Sequence, residues 1–168
     1  MKKSLLIVFL AVLSISANAQ DPGPLTKNWE ILSSTASNAL IGSASQQTTI
    51  AYNKITDKLY LPERNNKISI LNPLDGSLAS PQSTLTVLST APAWTQSFKY
   101  TKIRVTSDGV IYACNMTTGS GTIYIYRWAS EADTEPTASA IAVTARTGDS
   151  FTVTGTGINT VIYLSGSA

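Results

Sequence analysis

A pattern of short strands that recurs about every 50 residues constrains this chain more than any other feature. The stretch from Tyr100 to Trp128 contains three apolar runs in which hydrophobic side chains alternate with others, the period of a β-strand. Asp108-Gly109 separates the first two runs, and Asp-Gly between alternating hydrophobic residues is a strong hairpin signal. This stretch therefore predicts three short strands in succession.

Two other passages share this organisation. The tyrosines of the predicted second strand, Tyr60, Tyr112 and Tyr163, lie 52 and 51 positions apart. A fixed period near 50 made of short strands is typical of the four-stranded blades of a β-propeller. We therefore predict an all-β fold, a partial β-propeller of four-stranded antiparallel blades with about two and a half blades present. The alternative architecture is a β-sandwich.

The predicted organisation divides the chain into three parts. Residues 1–19 are a leader, residues 20–47 are a lead-in with one closing-type strand at Trp29–Ser33, and residues 48–168 are the partial propeller. A closed propeller needs roughly four to eight blades, so we expect a truncated record of a longer protein. The predicted blades are Thr48–Leu88, Lys102–Val143 and a half blade at Ser150–Ser165.

The first 19 residues have the features of a signal peptide. Lys2 and Lys3 precede the apolar stretch Leu5–Ile15, and Ala17-Asn18-Ala19 supplies a small-x-small cleavage pattern. The apolar stretch is shorter than the roughly 20 residues that a membrane-spanning helix needs. We expect a secreted protein, located in the periplasm, outside the cell or on its outer surface, with no membrane span after cleavage.

Charge and rare residues exclude several classes of function. Of 12 basic and 10 acidic side chains, two basic ones lie in the predicted leader, so the mature part is near neutral and no nucleic-acid partner is expected. The absence of histidine excludes Ser-His-Asp and Cys-His sites. Cys114 is the only cysteine, which excludes an intramolecular disulfide, and we expect a buried, inert thiol. The sequence predicts no catalytic residue, no cofactor and no metal ligand.

A resemblance to known proteins lies in the second and third strands of the repeat. Tyrosine recurs in the second strand, and an Ile-x-Ile third strand precedes the turn Asn72–Gly76. With the predicted signal peptide, these motifs resemble secreted bacterial β-propeller proteins of the NHL/YVTN-like kind. Ile123–Trp128 and Arg146–Phe151 are similar in particular to one uncharacterised propeller family. The resemblance implies a propeller fold and no particular chemistry.

The predicted strand order separates two ends of the sheets. Turns that follow strands one and three contain Asp57, Asp75 and Asp108, which we interpret as turn residues rather than metal ligands. Longer loops lie at the opposite end, where a rigid scaffold commonly binds ligands.

Three residues in these longer loops are the candidate ligand-binding residues. Arg64 and Asn65 suit forked hydrogen bonds to a carboxylate or to sugar hydroxyls, and Trp94 can stack on a sugar ring. The alternative is that Trp94 packs between blades and that Arg64 is a solvated loop residue.

The remaining aromatic residues are interpreted as packing residues. We expect Trp29 and Trp128 to be buried between sheets. We also expect Tyr124 and Tyr126 to present one ring to each face of their sheet.

These observations favour a binding or interaction module for a glycan or an extracellular protein. The alternative is a fragment of a propeller enzyme, such as a lyase, lactonase or hydrolase, whose catalytic residues lie in missing blades. Catalysis needs convergent titratable groups, and the ten acidic residues of this chain are mostly scattered in turns. A further alternative is a fragment without activity, whose exposed strand edges favour aggregation.

Overall fold

The computed structural model describes residues 27–30, 40, 47–64, 67–87 and 98–167. These residues form an all-β structure with antiparallel pairing, and they contain no helix with the length and hydropathy to cross a membrane. The strands in chain order are β1 (Ala51–Asn53), β2 (Lys58–Pro62), β3 (Ile68–Leu71), β4 (Thr84–Leu85), β5 (Lys102–Val105), β6 (Ile111–Cys114), β7 (Gly121–Trp128), β8 (Thr137–Val143), β9 (Arg146–Thr154) and β10 (Val161–Ser167).

The strands form three antiparallel sheets, of which two are four-stranded meanders and the third is a two-stranded hairpin. The first sheet has the order β1-β2-β3-β4, the second has the order β5-β6-β7-β8, and the third consists of β9 and β10. Tyr60 lies opposite Ala51 on β1 and Ile70 on β3, so these three residues share one face of the first sheet. Arg104 lies opposite Tyr112 in the second sheet.

The aspartates of the tight turns make local hydrogen bonds. Asp75 Oδ1 accepts hydrogen bonds from the Ser77 amide at 3.0 Å and the Ser77 hydroxyl at 2.7 Å. Asp57 adopts a positive φ of 52° and accepts a hydrogen bond from the Tyr52 hydroxyl at 2.9 Å. Within the described residues, no group of three or more His, Cys, Asp or Glu side chains could hold a metal ion.

A first hydrophobic core lies between the first and second sheets. The indole of Trp128 is fully buried in it, and its Nε1–H donates to the Thr86 carbonyl at 2.7 Å. Burying a large apolar side chain stabilises the fold by about 1.5–3 kcal/mol, so this cluster is a major source of stability. Its buried members are Ala51, Tyr60, Ile68, Ile70, Ala79, Leu85, Tyr100, Ile103, Ile111, Ala113, Tyr124, Tyr126 and Trp128.

A second core lies between the opposite face of the second sheet and the β9–β10 hairpin. Phe151 of β9 is buried against Tyr112 and Cys114 of β6. The middle strands of the second sheet are thus covered on both faces, which explains why all four residues of β6 are buried, whereas the outer strand β8 is exposed. Burial raises the pKa of the Cys114 thiol to about 12, as expected for an inert cysteine.

Some expectations for aromatic side chains were wrong. Tyr124 and Tyr126 do not face opposite sides of the sheet, because residues two apart in a strand share a face, and both rings lie in the first core. Trp29 is half-buried against the turn after β3, where its Nε1–H donates to the Pro73 carbonyl at 2.8 Å, rather than between sheets. Residues 27–30 form no strand, and the rest of the predicted strand at Trp29–Ser33 lies outside the described residues.

Candidate functional site

The turns that follow the first strand of each sheet meet at one end of the structure. The Asn53 side chain, at the end of β1, donates to the Gly109 carbonyl in the β5–β6 turn at 3.1 Å. Asp108 in that turn accepts a hydrogen bond from the Gly157 amide, in the β9–β10 turn, at 3.2 Å. At the opposite end, the Thr48 hydroxyl, ahead of β1, donates to the carbonyl of Thr101, directly ahead of β5, at 2.5 Å. β5 also contacts β9.

At that opposite end, a cavity of about 400 Å³ lies between β5 and β9. It is lined by residues from the approach to β1 and from β5, β9 and β10, which are far apart in the sequence. Its volume lies within the range of about 300–1,000 Å³ that is usual for small-molecule sites. The hydroxyl-bearing residues in its wall are Thr48, Thr49, Ser150, Thr152, Tyr163 and Ser165.

Two cations of β5 line this cavity. Lys102 and Arg104 are two positions apart in the strand, so both project from the face that is opposite to the buried Ile103. Arg104 Nη1 donates to Thr49 Oγ1 at 3.0 Å and to the Ile103 carbonyl at 2.7 Å, which holds the guanidinium in place. Among the described residues, no carboxylate lies within ion-pair distance of either cation.

Among the described residues that line the cavity, Asp149 supplies the one carboxylate, and an ion pair with Arg146 compensates its negative charge. Arg146 Nε donates to both Asp149 carboxylate oxygens, at 3.0 and 2.9 Å. These hydrogen bonds, together with the positive charges of Arg146 and Lys102, hold the pKa of Asp149 below its usual value. The cavity wall therefore keeps a net positive charge.

Only one of the three predicted site residues lies within the described residues. Arg64 follows β2 and is half-buried; its guanidinium carbon lies 4.8 Å from the centre of the Phe98 ring, and its carbonyl accepts a hydrogen bond from the Tyr100 amide at 3.0 Å. Arg64 Nε is buried and has no hydrogen-bond partner in the described part of the chain. Asn65 and Trp94 lie outside the described residues. The ligand-binding role of these three residues stays a prediction.

Sequence reasoning missed Lys102 and Arg104, which it treated as ordinary strand residues. The sequence did contain a signal for a charged site here. Two cations at alternate positions of a strand place both charges on one face of a largely buried sheet, where charged side chains are unusual. The sequence offered no comparable signal for Tyr163 or Thr49, since their proximity to β5 arises from the packing of separate sheets.

A second polar cluster joins the first two sheets at the end where the turns meet. The Glu131 carboxylate, in the β7–β8 connection, accepts hydrogen bonds from the Tyr60 hydroxyl and from Thr56 Oγ1, the latter at 2.7 Å. Gln82 Nε2 donates to the Glu131 carbonyl at 2.6 Å. Burial and the bond to Glu131 both raise the pKa of Tyr60. This cluster satisfies the hydroxyl of the buried Tyr60 and links the first two sheets.

Comparison of the chain with protein-family models, with curated proteins and with solved structures found no match.

Proposed function

We propose that this protein is a secreted or cell-surface binding module with β-propeller architecture, and that its ligand occupies the cavity between β5 and β9. The observation that carries this proposal is the position of the cavity. It lies where the first strands of successive sheets begin, and residues from several sheets converge on it. Ligand sites occur preferentially in concave places where separate elements meet.

The packing of the sheets supports a radial arrangement. The three sheets follow one another in space in the order in which they occur in the chain, and β5 contacts both β1 and β9. Tyr60 is buried in the first core and Tyr112, at the equivalent position of the next repeat, is buried in the second. In a propeller, each sheet packs on the next in this way around a central axis.

The chemistry of the wall favours binding over catalysis. Two cations, several hydroxyl groups and one neutralised carboxylate can hold a polar ligand through charge and hydrogen bonds. The chain contains no histidine that could act as a general base beside them.

Filling the cavity with a bulky, uncharged side chain tests the proposal. We would screen the purified protein on an array of neutral and acidic saccharides and on immobilised peptides, and repeat each positive result with Thr152→Trp. Thr152 lines the cavity on β9, so the indole should fill it without changing its charge. Thr154→Trp is the matched control, because Thr154 lies two residues further along the same exposed face and outside the cavity.

The proposal expects Thr152→Trp to abolish binding and Thr154→Trp to retain it. Equal binding by both variants would place the ligand elsewhere, and an array without any ligand would contradict the binding function itself.

A further inference from the structure

We propose that the ligand of this cavity is a carboxylated saccharide whose carboxylate lies between Lys102 and Arg104. This inference rests on the proposed function, because it names the ligand class of the same site. It depends on three features of the cavity wall: two accessible cations, a high density of hydroxyl groups, and a half-exposed aromatic ring.

The two cations select an anionic group. Side chains two apart in a strand stand roughly 6.5–7 Å apart on the same face, close enough for both to contact one carboxylate. Arginine binds carboxylates through its planar fork, and Thr49 already orients the Arg104 guanidinium. Neither cation has a carboxylate within ion-pair distance among the described residues, and Asp149 interacts with Lys102 only at longer range. Both cations therefore keep N–H donors for an incoming carboxylate.

Asp149 does not cancel this preference. Its carboxylate is held by Arg146 through three N–H···O contacts of 2.5–3.0 Å, so its charge is already compensated. The remaining acceptor capacity of Asp149 can accept hydrogen bonds from ligand hydroxyls.

The rest of the wall favours a saccharide over a peptide. Serine and threonine hydroxyls both donate and accept hydrogen bonds, which matches the hydroxyl groups of a sugar. The ring of Tyr163 is 55% exposed and offers a flat apolar surface for the C–H face of a sugar ring. A cavity of about 400 Å³ suits a ligand of one or two sugar rings better than an extended chain.

Two disaccharides that differ only at C6 provide the test. The purified protein would be titrated calorimetrically with α-1,4-linked digalacturonate and with α-1,4-linked digalactose, in the same buffer at 50 mM salt. A peptide of three glutamates and inorganic sulfate serve as further probes. We expect digalacturonate to bind about 10- to 100-fold more tightly than digalactose, since charge-assisted hydrogen bonds distinguish them.

Variants assign the effect to the two cations. Arg104→Gln and Lys102→Gln should each weaken digalacturonate binding about tenfold or more, with little effect on digalactose. Lys54→Gln is the control, because Lys54 is an exposed cation in the β1–β2 turn at the opposite end. The Lys54→Gln variant should bind digalacturonate as tightly as the wild-type protein does.

Several results would overturn the inference. Equal affinity for the two disaccharides would show that the carboxylate is not recognised. Tighter binding of the glutamate peptide would indicate an acidic peptide ligand, and equal binding of sulfate would indicate a simple anion site. A neutral ligand that Thr152→Trp blocks would refute the ligand class and leave the binding module intact, whereas failure of every ligand to bind would refute both.

Discussion

The hydroxyl of Tyr60 shows how one buried polar atom can join two sheets. It accepts a hydrogen bond from Asn53 Nδ2 at 3.1 Å and donates to the Glu131 carboxylate of the second sheet. Tyr60 is fully buried, so these partners replace the water that the hydroxyl would otherwise bind.

Removal of this hydroxyl should lower the stability of the folded protein. Tyr60→Phe keeps the ring in the core but removes one hydrogen bond from Asn53 and one from the charged Glu131, which retain their bonds to Gly109 and Thr56. Because the lost bond to Glu131 involves a charged group, we expect the free energy of unfolding to fall by about 1–3 kcal/mol. Urea denaturation measures the change. Tyr52→Phe is the control, since its hydroxyl bonds Asp57 at an exposed site, and it should cost less than about 0.5 kcal/mol. Equal effects of the two substitutions would contradict the stabilising role of the Tyr60 hydroxyl.

The thiol of Cys114 should be unreactive in the folded protein. Burial raises its pKa to about 12 from an ordinary value of 9.0, so the reactive thiolate is on the order of 1,000-fold rarer at pH 8. We expect iodoacetamide to label Cys114 only after denaturation in guanidinium, as mass spectrometry would show. Rapid labelling of the native protein would mean that the second core opens readily.

The turns of the hairpins decide how successive sheets meet. Gly109 adopts a φ of +87°, and a Cβ atom there would lie 3.2–3.4 Å from atoms of Ile55 and Asn53 in the first sheet. The turn therefore needs glycine both for its backbone conformation and for the close approach of the neighbouring β1–β2 turn.

A pair of glycine substitutions tests this requirement. Gly109→Ala should lower the free energy of unfolding by about 1 kcal/mol or more, because a left-handed backbone and a tight contact act together. Gly119→Ala is the matched control: Gly119 lies in the β6–β7 loop, and a Cβ atom there meets nothing within 4 Å. Thermal unfolding followed by circular dichroism measures both, and a control as unstable as the Gly109 variant would contradict the explanation.

At the scale of the whole molecule, several titratable side chains are buried in the two hydrophobic cores. Burial raises the pKa of Cys114 to about 12, and it also raises the pKa values of Tyr60 and Tyr126 above their ordinary 10.0. The folded state therefore keeps protons that the unfolded state releases as the pH rises.

Stability should consequently fall at high pH. From about pH 9 to about pH 12, the folded protein binds more protons than the unfolded chain, so the free energy of unfolding decreases by up to about 1.4 kcal/mol per pH unit for each such group. Urea denaturation at intervals between pH 7 and pH 11 measures this slope. Cys114→Ala should remove the part of this decrease in the free energy of unfolding that begins near pH 9. A free energy of unfolding that stays constant up to pH 11 would contradict the prediction.

Much of the strand pattern could be predicted from the sequence, because strands and tight turns depend on residues that are close together in the chain. Alternation of apolar side chains and the Asp-Gly turn predicted β5 and β6, and the structure confirms an all-β fold with antiparallel pairing. The error at Tyr124 and Tyr126 came from misapplied strand geometry, since the alternation itself places both rings on one face.

The sequence by itself determined the local features of this protein, namely its strands and its tight turns. Each of these depends on the steric and hydrogen-bonding preferences of residues close together in the chain. Only the tertiary structure decided that Lys102 and Arg104 share a cavity wall with Thr49 and Tyr163, and that Glu131 bonds to Tyr60 across 71 positions. Such contacts arise when separate sheets bury their apolar faces against one another, and that packing depends on residues far apart in the sequence.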